Sequence, residues 1–260
     1  MTERHDEFWN ERLAQDWTSS GVGYQALGRP FNTWMYRIRR HVFAREVAAL
    51  GVDSRTQVLD VGSGTGLYLA WWQAAGAGHV TGSDLTPAAV TRLRERFGTL
   101  RIEEFDVTAG PGPFEPGSFD VISCMDVLFH ITDDELYRGA LANVAALLRP
   151  GGRFIFTENF LNRAPDRSEH QVNRSRQWIT RELARNGLRL ERRTPSLVLM
   201  NAQVDAPWWW RKTWGGLLRG LTLTPPTGWA TGALLYPLER VLTRVLAESP
   251  TTELAMAKRV

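Results

Sequence analysis

Apolar positions change period along the chain, and each change marks an element. In YRIRRHVFAREVAAL, residues 36–50, Ile38, Val42, Phe43, Val47 and Leu50 recur at helical spacing, and Gly51 is a stop. QVLDVG (57–62) is instead a short continuous apolar run, as expected of a strand covered on both faces, and GLYLAWWQAAG (66–76) returns to helix. HVTGSD (79–84) then reads as strand, PAAVTRLRERF (87–97) as helix with Pro87 in its first turn, and LRIEEFD (100–106) as strand. FDVISCMD (119–126) is a fourth strand, DDELYRGALANVAALL (133–148) a helix stopped by Pro150 and Gly151, and RFIFTE (153–158) a fifth strand. RSRQWITRELARNG (174–187) closes as a helix at Gly187, before a sixth strand in LRLERRTPS (188–196).

Strands that alternate with helices in this way predict an α/β chain with a doubly wound parallel sheet and right-handed crossovers. Ligands of such sheets sit at the carboxyl ends of the strands, where VLDVGSGTG (58–66) delivers its loop. From 197 to 252 the pattern breaks down. That stretch is too long for a connection and too apolar for a disordered linker, which predicts a folded insertion. The final ELAMAKRV is short and partly alternating, as a last edge or inserted strand would be.

Bulk properties narrow the picture. A chain of 260 residues suits one substantial core with appendages. Its N-terminus, MTERHDEFWNER, is charged from the third residue, unlike a secretory or transit peptide, so the expected location is the cytoplasm. The lone Cys124 excludes an internal disulfide framework and any all-cysteine metal site. A net charge of +3, with arginines scattered among acids, argues against a nucleic-acid partner. Of the eleven tryptophans, Trp208, Trp209, Trp210, Trp214 and Trp229 crowd into one segment, which needs its own explanation.

The chemistry concentrates around Gly62, Gly64 and Gly66. Between a strand and a helix, glycines let the backbone approach a ligand and leave helix N–H donors open to it, although tight packing alone also selects them. Asp84 ends the second strand, 22 residues after Gly62, where a carboxylate can accept from a ribose diol. Asp106 ends the third and can accept from the exocyclic amine of a base. Alone, either acid reads as a helix cap or turn former; one acid after each of three successive strands is harder to credit to turns. A nicotinamide dehydrogenase would need G-x-G-x-x-G, but here the third glycine comes one residue early and Leu67 takes its place. A pyrophosphate would also be repelled by Asp60, which suits a cationic group instead.

VLDVGSGTG, VTGSDLTPAAV, EEFDVT, FDVISCMDVLFH and LLRPGGRFIFTE together resemble, in order and spacing, the class I S-adenosylmethionine-dependent methyltransferases over roughly residues 45–195. The resemblance implies a seven-stranded, mostly parallel Rossmann-like sheet whose last strand is antiparallel and inserted. ELAMAKRV becomes that strand, and the chain divides into an N-terminal helical cap (1–50), a cofactor-binding core (51–195), a tryptophan-rich helical lid (196–252) between strands six and seven, and a final strand (253–260). It further implies that Gly62, Ser63, Gly64 and Gly66 approach the methionyl part of S-adenosylmethionine and that Asp60 holds its ammonium directly or through water. Asp84, with Leu85, would hold the ribose; Asp106, with Phe105 and Val107, would read the adenine; Met125 would lie near the sulfonium.

A sulfonium methyl is already electrophilic, so the protein mainly aligns a nucleophile and, where needed, removes a proton. CMDVLFHITDD places Asp126 and His130 four residues apart at the end of strand four, as candidate catalytic groups. With an ordinary pKa of about 6.5, His130 can serve as a base or simply hold the loop by hydrogen bonds. His170, in an arginine-rich stretch after strand five, is an independent candidate for the acceptor site. Relatives that methylate quinone precursors place two acids and a histidine along this loop to hold a divalent metal; Phe129 stands where the second acid would be, so no metal is expected.

Three readings compete for PWWWRKTW and the apolar residues after it. The insertion either buries its own aromatics, or forms a lid that brings Trp208 and Trp209 to the acceptor, or makes a peripheral membrane patch over residues 207–236. No run of uninterrupted apolar residues is long enough to span a bilayer. Tyr24, Trp34 and Tyr36 precede strand one and are acceptor-site candidates, against simple packing. The expected protein transfers the methyl of S-adenosylmethionine to a hydroxyl, ahead of nitrogen or carbon, of a small metabolite such as a natural product or sugar derivative. The alternatives are a membrane-surface methyltransferase of a lipid-linked or glycolipid acceptor, and a cofactor-binding interaction module without catalysis. Oligomeric state stays open.

Overall fold

A computed structural model describes Trp17 and residues 24–260 apart from Glu169. Most of the first half of the expected N-terminal cap, residues 1–16 and 18–23, therefore lies outside the described residues. Nine strands are present among the described residues: β1 (Gln57–Val61), β2 (His79–Asp84), β3 (Arg101–Glu104), β4 (Phe119–Cys124), β5 (Leu148–Glu158), β6 (Asp166–Arg167), β7 (Val172–Asn173), β8 (Leu188–Pro195) and β9 (Glu253–Arg259). Seven of them form one sheet in the order β3-β2-β1-β4-β5-β9-β8, and β6 pairs with β7 as a separate small ladder. The large sheet is parallel except for β9, which runs antiparallel to both β5 and β8. ELAMAKRV is thus the inserted last strand. The order reverses between β1 and β4, which puts the crevice for ligands at the loop after β1.

The helices are α1 (Gly28–Ala48), α2 (Leu67–Ala74), α3 (Pro87–Arg96), α4 (Asp134–Leu147), α5 (Arg176–Arg185), α6 (Trp208–Leu221) and α7 (Pro225–Val245). One apolar layer, with Leu59, Leu141, Phe154 and Phe156, lies on one side of the sheet. The other, with Phe31, Ile38, Val42, Trp72 and Leu93, lies beneath α1, α2 and α3. Burial on both faces explains why β1 reads as a continuous apolar run.

Helix α1 begins eight residues before the helical spacing becomes visible at Tyr36. Its first turns carry Pro30 and polar residues that hide the period, and Asn32 supplies what the pattern lacks. The Asn32 Oδ1 accepts from the Tyr24 N–H at 3.0 Å, and its Nδ2 donates to the carbonyls of Tyr24 and Gly28 at 2.9 and 2.8 Å. That buried amide replaces an N-terminal cap and welds residues 24–28 to the helix.

The insertion folds as α6 and α7. Trp210 and Trp214 stack with ring centroids 5.5 Å apart, and their Nε1 groups donate to Gln203 Oε1 at 3.3 Å and to the Leu199 carbonyl at 2.7 Å. Glu239 of α7 is fully buried and accepts from the main-chain N–H groups of Val198, Leu199 and Met200. Helix α7 also crosses α1, where Trp34 meets Trp229 and Tyr236 at 5.5 and 5.3 Å.

That crossing depends on a missing side chain. A Cβ at Gly232 would lie 2.3 Å from Trp34 Cδ1, and the indole is hemmed in by two other rings. Gly232→Ala should lose about 1–2 kcal/mol in urea or thermal unfolding, because overpacking outweighs the roughly 1 kcal/mol that alanine gains in a helix.

Candidate functional site

The loop after β1 is held from beneath. In register, Asp60 lies between Gly82 of β2 and Ser123 of β4. Its buried carboxylate accepts from Ser123 Oγ at 2.5 Å, and Ser123 Oγ accepts in turn from Trp72 Nε1 at 2.9 Å. Burial pushes the Asp60 carboxyl up to about 7, with the hydroxyls of Ser123 and Ser63 opposing the rise and Asp84 adding to it. The Asp60 carbonyl accepts from Ser63 Oγ at 3.0 Å and Ser83 Oγ at 3.1 Å, and the Ser63 N–H donates to the Ser83 carbonyl at 2.8 Å.

Gly62, Gly64 and Gly66 have φ of 69°, 52° and 78°, so all three occupy the left-handed region. A Cβ at Gly62 would stand 2.3 Å from Val127 Cγ2, and one at Gly66 would strike Phe97 and Leu93 of the α3 side. Packing within the chain therefore accounts for two of the three glycines, where the sequence suggested ligand approach. No side chain caps α2, and its first N–H groups face the loop.

Asp84 ties this loop to β2. Its Oδ2 accepts from the Gly64 N–H at 2.8 Å, and its Oδ1 accepts from the N–H and Oγ1 of Thr86 at 3.0 and 2.9 Å. Burial raises its pKa, and the donors of Thr86 and Gly64 oppose that. Leu85 next to it is half-buried. Asp106 closes a tight turn by accepting from Thr108 N and Oγ1, both at 2.8 Å. Phe105 and Val107 on either side of it are both buried in the apolar layer, Phe105 edge-on to Phe114 at 5.1 Å. Met125 is likewise buried, in the layer beneath α1.

At the carboxyl edge a cavity of about 620 Å3 opens between α1, the ends of β4 and β5, the start of β9, the β6–β7 ladder and the loop before α6. Tyr24 and Tyr36, named from the sequence as acceptor-site candidates, and Asp126 and His130, named as candidate catalytic groups, all line it. Asp126 does not stand ready as a base. It forms an ion pair with Arg39, and its Oδ1 accepts from Thr157 Oγ1 at 3.0 Å. Its own N–H donates to the same Thr157 oxygen at 2.7 Å, and its φ is 61°. Burial works against the Arg39 charge, but Asp126 and Tyr68 beside it hold the guanidinium pKa above its ordinary value. These contacts tie Asp126 into the turn that carries His130.

His130 closes a short helical turn, Leu128–His130, and its Nδ1 lies 2.9 Å from the His170 carbonyl. An acceptor at Nδ1 places the neutral ring's proton there and leaves Nε2 as the basic nitrogen. His170 thus reaches the site through its main chain, not through the imidazole the sequence suggested. Trp208 and Trp209 are 70% and 55% exposed and do not line the cavity, and Trp34 is spent on α7. Trp210 and Trp214 are half-buried against the segment before α6 and do not line the cavity either.

Several cavity residues carry no signal in the sequence pattern. A hydrogen-bonded run joins Gln171 Nε2 to Asn173 Oδ1 (2.6 Å), Asn159 Nδ2 to the same oxygen (2.7 Å), Thr252 Oγ1 to Asn159 Oδ1 (2.9 Å) and Asn201 Nδ2 to Thr252 Oγ1 (3.2 Å). Asn159 is the exception, since it directly follows the fifth strand; the others become neighbours only through the ladder and the insertion. Arg39 carries a signal too, as a charge on the apolar face of α1 between Met35 and Val42.

The sheet order, the left-handed loop and the strand-end acids define the fold of the class I S-adenosylmethionine-dependent methyltransferases. Residues 58–152 match the model of a family described as a methyltransferase domain. Over 109 residues the chain is 35% identical to a demethylmenaquinone methyltransferase of Tropheryma whipplei, covering 42% of this chain and 44% of that one. Over 155 residues it is 32% identical to a ubiquinone biosynthesis O-methyltransferase of Colwellia psychrerythraea, covering 56% and 60%. The chain thus spans between two fifths and three fifths of the length of these curated relatives. Among solved structures, the N-methyltransferase NodS of Bradyrhizobium japonicum WM9, in complex with S-adenosyl-L-homocysteine, shares the fold with a TM-score of 0.58 over 99% of both chains at 15% identity. The magnesium protoporphyrin IX methyltransferase of Synechocystis PCC 6803 does so with a TM-score of 0.56 over 98% and 95%, again at 15% identity.

The buried acids have a consequence for stability. Asp60, and Glu158 at the end of β5, are both pushed up to about 7 by burial, and each binds its proton more tightly folded than unfolded. Their contribution is complete below the ordinary carboxylate range and drains away as pH rises to about 7. Urea unfolding of Asp60→Asn across that window should show the variant gaining on the parent as pH rises; a constant difference would mean that Asp60 does not titrate there.

Proposed function

We propose that the chain transfers the methyl group of S-adenosylmethionine to a hydroxyl of a small, polar, many-hydroxyled metabolite, such as a sugar or natural-product derivative. The observation that carries this reading is the cavity itself: an imidazole with Nε2 as its basic nitrogen stands across from a run of amide and hydroxyl side chains. Asn159, Gln171, Asn173 and Asn201 offer donors and acceptors at fixed spacing, which suits a polyol more than an apolar ring. The O-methyltransferase activity of the similar ubiquinone biosynthesis enzymes supports oxygen as the accepting atom.

The residues around the β1 loop fit the cofactor. Asp60 is held near its titration point with no cation among the described residues that act on it, and an ammonium group is the complement that would keep it ionised. Asp84 Oδ2, which accepts from the Gly64 N–H, keeps a lone pair for a ribose hydroxyl, and Asp106, two residues past β3, lies at the matching place for an adenine amine. When bound, S-adenosylmethionine supplies an electrophilic methyl on a sulfonium. The chain's own work is then to orient the acceptor in the amide-lined cavity and to receive its proton at His130 Nε2 as the new O–C bond forms. Arg39 and Asp126 keep the turn that presents His130.

Isothermal titration with S-adenosyl-L-homocysteine tests the cofactor half. Asp84→Ala should weaken binding about tenfold or more, since it removes both the ribose acceptor and the tether on Gly64. Affinity of the parent should fall as pH drops below about 7, where Asp60 takes up its proton. Parental affinity in the variant would show that the ribose lies elsewhere. For the chemical half, a panel of hydroxylated metabolites incubated with enzyme and cofactor should yield one that gains a methyl by mass spectrometry. With that acceptor, His130→Ala should lose about 10²–10⁴ in kcat while binding the cofactor normally. A near-parental rate across pH would remove His130 from proton transfer.

A further inference from the structure

Helix α7 is built inside out. The positions it buries are Gly228, Gly232, Glu239 and Thr243. Leu234, Leu238, Val241 and Val245 are exposed instead, the first of them at 77%. Their spacing, i, i+4, i+7 and i+11, lines them along one stripe about 16 Å long. Helix α6 repeats the theme: it buries Leu218 alone and leaves Trp209, Leu217 and Leu221 in solvent. The turn between the helices adds Leu223, 80% exposed, and Trp229 lies just beyond it. So many exposed large apolar side chains on adjacent elements mark an interaction surface.

Charge identifies its partner. Helices α1, α6 and α7 together hold ten of the chain's 31 basic residues but only two of its 28 acids. Both acids, Glu46 and Glu239, are buried. The three helices therefore show solvent no carboxylate, while Arg37, Arg40, Lys212, Arg219 and Arg244 are exposed among them. Arg37 and Lys212 lie over the rings of Trp34 and Trp208, at 4.2 and 5.3 Å, the pairing of cation and indole found where protein meets lipid headgroups. A second copy is a poor occupant, because it would bring one basic rim against another. No described helix is long and apolar enough to cross a membrane, so the face can only lie on one.

We propose that the face formed by α6 and α7, rimmed by the basic side chains of α1, docks on the surface of an anionic lipid bilayer. Exposed tryptophans and leucines enter the headgroup boundary while arginines and lysine meet lipid phosphates. The surface stands apart from the amide-lined cavity, and its function does not require that the cavity carry out methyl transfer.

Sedimentation of the full chain with vesicles tests it. The parent should pellet with vesicles containing phosphatidylglycerol, bind pure phosphatidylcholine far less, and release from the anionic vesicles as salt rises. Leu234→Glu/Leu238→Glu should lower partitioning about tenfold or more, with an unchanged melting temperature because both side chains are already in solvent. Lys212→Glu/Arg219→Glu should do the same through charge alone. A parent that stays in the supernatant with both vesicle types would overturn the proposal, as would variants that bind like the parent. So would light scattering that shows a dimer which the leucine variant dissociates, for a second copy would then be the occupant. Because S-adenosyl-L-homocysteine titration reads the cofactor site separately, failure here and failure of the methyltransferase reading are distinguishable.

Discussion

The ion pair between Arg39 and Asp126 joins the parts of the molecule that a parallel sheet alone would leave unconnected. Arg39 sits on the buried face of α1, and Asp126 is the second residue past β4. Bringing them together costs desolvation of two charges and a left-handed backbone at Asp126, its φ of 61° being the only positive one among the described non-glycine residues. Thr157 at the end of β5 offsets part of that cost by bonding both the N–H and the carboxylate of Asp126. Once set, this corner fixes much else. Val127 is laid over Gly62, which forbids a side chain there, and the next turn lifts His130 to the carbonyl of His170. Helix α1, held at the carboxyl edge, in turn offers Trp34 to α7, so the position of the insertion depends on the same pair.

Asp60 is the complementary case, in which a buried carboxyl group costs stability that its hydrogen bonds only partly offset. An uncharged residue could join β1 to Ser123 without the cost of burial that moves its pKa to about 7. Nothing in the packing requires a carboxyl group there. Its location beside a left-handed glycine loop, with Asp84 also buried and raised by desolvation, concentrates unneutralised negative character at one end of the sheet. A cationic ligand relieves both groups at once, and an anionic pyrophosphate would do the reverse. Strain held at a strand end is what distinguishes this loop from a turn that is merely tight.

The range of each interaction decides whether the sequence shows it. β1 through β5 and their helices declare themselves because burial on both faces writes a continuous apolar run, and each helix writes its own period. β9 is legible as the inserted strand only through resemblance, since its partners β5 and β8 lie far from it in the chain. Helix α1 reads short because the Asn32 amide acts in place of a periodic signal. At the site, residues a few positions past a strand end, Asp126 and His130 among them, can be named from spacing. Phe105 and Val107 cannot be oriented, because position beside an acid says nothing of which way a side chain turns; both enter the core. Trp208 and Trp209 have the right chemistry for an acceptor wall, yet helical phase sends them outward and Trp210 and Trp214 against the segment before α6. The amide run from Gln171 to Asn201 joins four segments and exists only in the folded chain.

The inverted pattern of α7 also explains how the insertion is attached. A helix whose fully buried positions are glycine, glutamate and threonine has only half-buried side chains such as Leu235 and Tyr236 for apolar packing, so directional interactions add to its docking. Glu239 provides the strongest of these. Burial raises its pKa, but three successive N–H groups at residues 198–200 hold the carboxylate, and they belong to the segment just after β8 that begins the insertion. The glycines let α7 approach α1 closely enough for Trp34 to fill the gap. Apolar side chains are thereby released from the interior to the outer surface without loosening the helix. The two halves of the insertion then divide their labour: Asn201, Ala202 and Val204 of the loop before α6 line the polar cavity, with Trp214 donating to the Leu199 carbonyl, while the outward leucines lie on a surface where water is not their natural medium.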